Sequence, residues 1–176
     1  MRLLLVRHPR PAIGPGICYG RSDIATTDDE IERVRATLPA SLPTWTSPLV
    51  RCASLARALA PPHLRVDALL AEMDFGAWEL RSWDDIPRAE VDAWAADLLH
   101  YRPGGGESVL DVAHRVAAFR DDLHKAGHAE ALVICHAGTM RLLRALHTGL
   151  PLEAAALEAA RTPHRIGYGE ILALGD

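Results

Sequence analysis

Two short apolar runs in this chain end in histidine. Leu3-Leu4-Leu5-Val6 runs into Arg7-His8-Pro9, and Ala131-Leu132-Val133-Ile134-Cys135 runs into His136-Ala137-Gly138. Each has the length of a strand and is apolar on both faces, the pattern of a buried parallel strand; neither approaches a bilayer span. Strands of this kind deliver their last residues to the carboxyl edge of an α/β sheet, where ligand crevices form. The pattern predicts two imidazoles and a guanidinium on the rim of one cleft. A neutral imidazole is a competent nucleophile toward phosphorus near neutral pH, and guanidinium forks match phosphate geometry. The chemistry such a rim would support is phosphoryl transfer through a covalent intermediate on an imidazole.

The intervening chain supplies the elements that would hold that rim. After Pro9 comes a loop rich in proline and glycine, then Thr27-Asp28-Asp29-Glu30, which reads as a capping box. Ile31, Val34 and Leu38 follow at helical spacing, closed by Pro39 and Pro43. Trp45 and Thr46 suggest a short strand ending at Ser47-Pro48. Leu49, Cys52, Leu55, Ala56 and Leu59 mark a helix that Pro61-Pro62 stops, and Leu64 to Leu70 predicts another strand. This β-α-β-α-β alternation is that of a three-layer α/β/α fold with a mostly parallel sheet. Residues 72–106, carrying Trp78, Trp83 and Trp94, break the alternation and read as a small helical insertion over the cleft. Pro103-Gly104-Gly105-Gly106 reads as a flexible hinge or turn. Val109, Val112, Val116, Phe119 and Leu123 trace an amphipathic helix ended by Gly127. A helix from Thr139 to Leu150 and a last strand over 168–174 complete one domain spanning 1–176.

Composition narrows the function classes. The 176 residues are 49% apolar and 24% charged, ordinary for a globular domain. A net charge of −4 argues against general nucleic-acid binding, which needs a basic face. Leu3 to Val6 is too short for a signal core, and three cysteines cannot all pair. The expectation is a cytoplasmic protein, with Cys18, Cys52 and Cys135 as buried small apolar residues.

The ordered set of Arg7-His8, Cys18-Tyr19-Gly20-Arg21, Ser47-Pro48-Leu49-Val50-Arg51, Glu72-Met73-Asp74-Phe75-Gly76-Ala77-Trp78-Glu79, Gly106-Glu107-Ser108 and His136-Ala137-Gly138 resembles the histidine phosphatase superfamily, the phosphoglycerate-mutase-like proteins. Within it the blocks look most like the alpha-ribazole phosphatase branch, and they cover nearly the whole chain. The resemblance implies a phosphoglycerate-mutase-like fold and metal-independent hydrolysis of a phosphomonoester, with no cofactor. His8 would be the nucleophile. Arg7, Arg51 and a protonated His136 would hold the phosphoryl oxygens, aided by helix amides after His136 or near Ser47. Glu72 would protonate the leaving oxygen and then activate water, with Asp74 as the lesser candidate. Arg21 and Gly20 would contact substrate. The chain departs from the family pattern at Pro9, Pro11, Gly14 and Cys135, which leaves the phosphate contacts of the first loop unassigned.

The implied partner is a small phosphorylated metabolite, with neither nucleic acid nor membrane, met by a monomer or homodimer. The branch implies alpha-ribazole-5′-phosphate in cobalamin nucleotide-loop synthesis. The rivals are a phosphoglycerate mutase-like enzyme, a broad-specificity sugar or nucleotide phosphatase, a non-catalytic phosphate sensor and a metal-dependent hydrolase. Tyr19, Trp78 and Tyr101 read first as half-buried packing and second as stacking residues for a nucleoside ring. Glu107-Ser108 suits a helix start. Of His63, His100, His114, His124, His128, His147 and His164, only His124 and His128 stand at i, i+4, and Gly127 between them breaks the helix that a metal site there would need.

Overall fold

The structure is a computed structural model that describes residues 1–163 and 165–175. His164, grouped above with the histidines of no ligand spacing, lies outside the described residues. The described residues form five strands and six α-helices: β1 (Arg2–Arg7), α1 (Asp28–Arg35), β2 (Thr44–Thr46), α2 (Val50–Leu59), β3 (Leu64–Val66), α3 (Arg88–Ala96), α4 (Val109–Lys125), β4 (Glu130–Cys135), α5 (Ala137–His147), α6 (Leu152–Arg161) and β5 (Ile171–Leu174). The sheet order is β3-β2-β4-β1-β5, parallel except for the β1–β5 edge pair.

The apolar runs sit where their two-sided hydrophobicity requires. Ala131, Val133 and Cys135 of β4 face a core shared with α4, α5 and α6, whereas Leu132 and Ile134 face a second core under α1 and α2. Leu3 and Leu5 of β1 take the first side and Val6 the second. This period-two division of a continuous apolar run makes the three layers. Among the described residues no helix is long and apolar enough to cross a membrane.

Several boundaries differ from the sequence reading. The strand expected from Leu64 to Leu70 stops at Val66, because the Asp67 carboxylate accepts the Leu69 N–H at 3.0 Å and starts a 3₁₀ turn. The last strand begins at Ile171; Tyr168 and Gly169 form a turn instead. Helix α6, built on Leu152-Glu153-Ala154-Ala155-Ala156 after Pro151, is an element that the sequence reading does not separate out. The supposed hinge at Pro103–Gly106 is a tight clasp: a Cβ on Gly104 would lie 2.3 Å from the Phe75 carbonyl oxygen, and one on Gly106 would lie 2.1 Å from that of Asp74. These glycines are needed for backbone approach, and the approach closes the ends of the insertion onto each other.

The insertion carries α3 and three 3₁₀ turns packed on its own aromatic core. Trp78 is fully buried there, with its Nε1 donating to Glu90 at 2.7 Å and Tyr101 packed against its ring. Both therefore take the packing reading. Cys18, Cys52 and Cys135 are free and buried. Ser108 starts α4 through a capping box with Asp111.

Candidate active site

Sheet register sets the centre of the site. Arg7 pairs with Cys135 across the parallel β1–β4 ladder, so His8 and His136 leave the sheet side by side. Their ring centroids are 5.1 Å apart. His8 Nδ1 lies 2.7 Å from the Pro9 carbonyl oxygen. A carbonyl can only accept, so Nδ1 carries the proton and Nε2 presents its lone pair. His136 is the N-cap of α5, and its Nε2 lies 2.8 Å from Ser47 Oγ. That hydroxyl also accepts the Leu49 N–H at 3.3 Å.

The arginines are fixed by main-chain carbonyls. Arg7 donates to Ile166 and lies 3.9 Å above the Tyr168 ring. Arg51 is completely buried and donates to the carbonyls of Ser22, at 2.8 Å, and Gly20. Anchored from behind, each fork keeps donors for an anion.

Glu72 is tied to the start of α5: Oε2 accepts the Gly138 N–H at 3.0 Å, and Oε1 accepts the Met73 N–H at 3.0 Å. A carboxylate suits a helix N-terminus. A Cβ on Gly138 would sit 2.5 Å from Glu72 Oε1, so glycine leaves the room this carboxylate occupies.

Arg7, His8, Arg51, Glu72 and His136 thus share the wall of one cavity of about 780 Å³. Asp74, Gly20 and Arg21 are not on that wall. Asp74 turns inward to accept the Gly76 N–H at 2.7 Å. The Gly20 and Arg21 amides both donate to Glu79, and the exposed Arg21 side chain lies 3.8 Å from Glu107. The Gly20 carbonyl accepts from Arg51, which lines the cavity, and this is a positioning contact.

Other residues that shape the site escape the sequence reading. Glu79 collects the amides of Gly20, Arg21, Ser22 and Phe75 together with the Ser22 hydroxyl, and so shapes the loop that grips Arg51. Burial opposes its ionisation, but these donors outweigh it and hold the carboxyl below the usual range. Arg115 on α4 pairs with Glu107 and donates to the carbonyls of Leu69, Ala71 and Glu72, fixing the backbone that carries the acid. Tyr168 stacks under Arg7, with its ring 5.6 Å from that of His8 and its hydroxyl 2.8 Å from that of Tyr19. Arg141 lines the cavity from α5. The one advance signal is Arg115, a cation bordering the apolar stripe of α4.

Burial, then Arg51 and Arg7, pull the pKa of His8 down to about 3, against the opposing Pro9 hydrogen bond. His136 is also held well below its ordinary value, by burial first and then by His8, Arg51, Arg115 and Arg7. The protein's own groups therefore keep both imidazoles neutral. The protonated His136 expected of the reaction is a state of the phosphate-bound site, where the dianion's field would favour the charge. The unfolded chain protonates His8 near 6.5 and the folded chain only near 3, so between those values the unfolded state binds more protons. His8's contribution is intact above about 6.5 and declines as pH falls toward 3, by at most about 1.4 kcal/mol per pH unit. His8→Asn should flatten the acid side of a Tm-versus-pH curve; an unchanged slope would contradict this.

Comparison with known proteins identifies the family. The model of the histidine phosphatase superfamily (branch 1) matches residues 3–162. The chain is 32% identical over 168 residues to the adenosylcobalamin/alpha-ribazole phosphatase of Escherichia coli (strain K12), covering 88% of this chain and 82% of that protein. The crystal structure of the alpha-ribazole phosphatase from Shigella flexneri superposes with a TM-score of 0.82 at 28% identity, over 98% of this chain and 89% of the other. A phosphoglycerate mutase from Thermus thermophilus superposes with a TM-score of 0.72 at 29% identity, over 99% and 92%. With a matching model over most of its length, the same fold and two imidazoles meeting in one cavity, the chain belongs to branch 1 of the histidine phosphatase superfamily.

Proposed function

We propose that residues 1–176 act as one catalytic domain that hydrolyses a phosphomonoester through a phosphohistidine at His8. The observation that carries this reading is the convergence of His8, His136, Arg7, Arg51 and Glu72 on one cavity. The His8 Nε2 lone pair attacks phosphorus as the bond to the leaving oxygen breaks. Arg7, Arg51 and His136 bear on the non-bridging oxygens, where charge is held through a metaphosphate-like transition state. Glu72 donates a proton to the leaving oxygen, then takes one from the water that attacks phospho-His8, returning inorganic phosphate and the starting carboxyl. Side chains supply all the positive charge in this scheme, so full activity in excess chelator is expected, and loss of activity there would favour a metal-dependent hydrolase.

The substrate we propose is alpha-ribazole-5′-phosphate, in cobalamin nucleotide-loop synthesis. Its support is the activity named for the Escherichia coli and Shigella flexneri relatives, together with a cavity large enough for a nucleotide-sized leaving group. The test is a panel of phosphomonoesters that includes this compound, run beside a coupled assay for mutase turnover. The highest kcat/KM should fall on alpha-ribazole-5′-phosphate. A flat panel would indicate a broad-specificity phosphatase, and rapid phosphoryl return to a second acceptor would indicate a mutase.

A further inference from the structure

Three adjacent strands deliver three side chains to one edge of the sheet. In the order β2-β4-β1, Thr46 pairs with Ile134 and Ile134 with Val6, so Ser47, His136 and His8 emerge in a row just beyond. His136 stands in the middle. His8 and the arginines act at phosphorus, whereas Ser47 has no part in the scheme above. It is nonetheless fully buried, its amide donates to the Ile134 carbonyl at 3.0 Å, and its hydroxyl lies 2.8 Å from His136 Nε2.

The surroundings of that hydroxyl assign its proton. Oγ accepts the Leu49 N–H at 3.3 Å. Among the described residues, the only nitrogen or oxygen acceptor within reach of its own proton is His136 Nε2. The other neighbour is the Cys52 thiol, a weak acceptor whose sulfur donates to the Cys135 carbonyl at 3.6 Å. A proton on Nε2 would leave the buried serine O–H with sulfur alone, and buried hydroxyls are seldom left so poorly paired. Ser47 therefore donates, Nε2 accepts, and neutral His136 carries its proton on Nδ1. That nitrogen has no oxygen or nitrogen partner among the described residues; its nearest polar contact is the Cys52 sulfur at 4.0 Å.

We infer that Ser47 is a positioning residue of the reaction: its hydroxyl fixes the tautomer and ring orientation of His136, so that Nδ1–H is the donor His136 keeps for a phosphoryl oxygen. This rests on the phosphomonoesterase reading and adds to it the group that acts through His136. The same hydroxyl serves the charged state. When a bound dianion favours imidazolium, Nε2 becomes a donor, and Ser47 Oγ has a second lone pair to receive it, because the Leu49 amide occupies only one. Alanine in its place would leave Nε2 buried beside sulfur alone in either state.

The test reads the tautomer directly. Nitrogen NMR of isotope-labelled histidine in the free protein at neutral pH separates a ring nitrogen that bears a proton from a bare one, and the signals lost in His136→Asn assign the residue. Wild type should show His136 with Nδ1 protonated and Nε2 bare. Ser47→Ala should move His136 to a mixture of tautomers or to the Nε2–H form, and lower kcat/KM by roughly ten- to a hundredfold, the effect of one hydrogen bond to a charged group. Ser47→Thr keeps the hydroxyl and should keep the wild-type tautomer. An Nε2–H tautomer in the wild type overturns the inference, as does a tautomer that Ser47→Ala leaves unmoved; lost activity would then trace to the Leu49 amide and the start of α2. A shifted tautomer with unchanged kcat/KM overturns it too. If the wild type hydrolyses no phosphomonoester, the phosphatase reading fails by itself, and the tautomer measurement still decides whether Ser47 holds His136.

Discussion

His8→Ala is expected to abolish turnover, by about 10⁴-fold or more, while the protein stays folded. The size follows from the role: a nucleophile that forms the covalent intermediate has no substitute, and removing one member of a catalytic set typically leaves only what binding and charge stabilisation supply. Folding should survive for a separate reason. His8 is 2% exposed, but it lies beyond the end of β1 and outside both main apolar cores, with the rings of His136 and Tyr168 as its neighbours. Truncation leaves the Pro9 carbonyl without its 2.7 Å partner, a loss of about 1–3 kcal/mol, and removes an imidazole that burial already disfavours in its charged form. Rapid-quench labelling with a phosphoester should give an acid-labile phosphoprotein in the wild type and none in the variant, with Tm changed by only a few degrees. Label retained in His8→Ala would place the nucleophile elsewhere. A collapse of Tm matching the loss of activity would make His8 a structural residue, and an unlabelled wild type would favour the phosphate sensor.

The parts of this site that are legible in the sequence are those carried by regular elements. Two apolar runs of strand length, each ending in histidine, are enough to expect both imidazoles at one sheet edge, and in the fold the two strands are parallel neighbours with Arg7 opposite Cys135. Arg51 is legible because it opens α2 just after Ser47-Pro48. The parts that are not legible depend on side chains that reach across the fold to main-chain atoms. Glu79 grips the loop 20–22 from far along the chain, and Arg115 collects carbonyls of 69–72 from α4. The Glu79 contact leaves no periodic trace, and Arg115 shows only as a cation bordering the apolar stripe of α4. The insertion is recognisable by its tryptophans, but their division of labour is not: Trp78 is sealed against Glu90, whereas Trp83 and Trp94 face the cavity. Gly104 and Gly106 mislead in the other direction. Glycine-rich sequence reads as a hinge, and here it permits two backbones to touch.

Glu72→Gln should separate the two halves of the reaction. The substitution conserves shape, and one amide oxygen can still accept from Gly138 or Met73, but the side chain can neither deliver a proton to the leaving oxygen nor take one from water. With a sugar phosphate, whose alkoxide leaves poorly, phosphorylation of His8 itself needs the acid, and kcat should fall by about 10²–10⁴-fold. With 4-nitrophenyl phosphate the leaving oxygen departs with little help, so the first half-reaction should proceed. Water attack on phospho-His8 still lacks its base. The variant should therefore release one equivalent of nitrophenol in a burst, then turn over slowly, with acid-labile phosphoprotein building toward stoichiometry. Asp74→Asn is the companion variant: Asp74 holds the Gly76 amide and lies off the cavity wall, so it should show no burst and only the consequences of a loosened loop. A burst in Asp74→Asn would transfer the acid–base role to that carboxylate. An equal loss with both leaving groups in Glu72→Gln, without any trapped phosphoprotein, would take Glu72 out of proton transfer and leave it as the N-terminal anchor of α5.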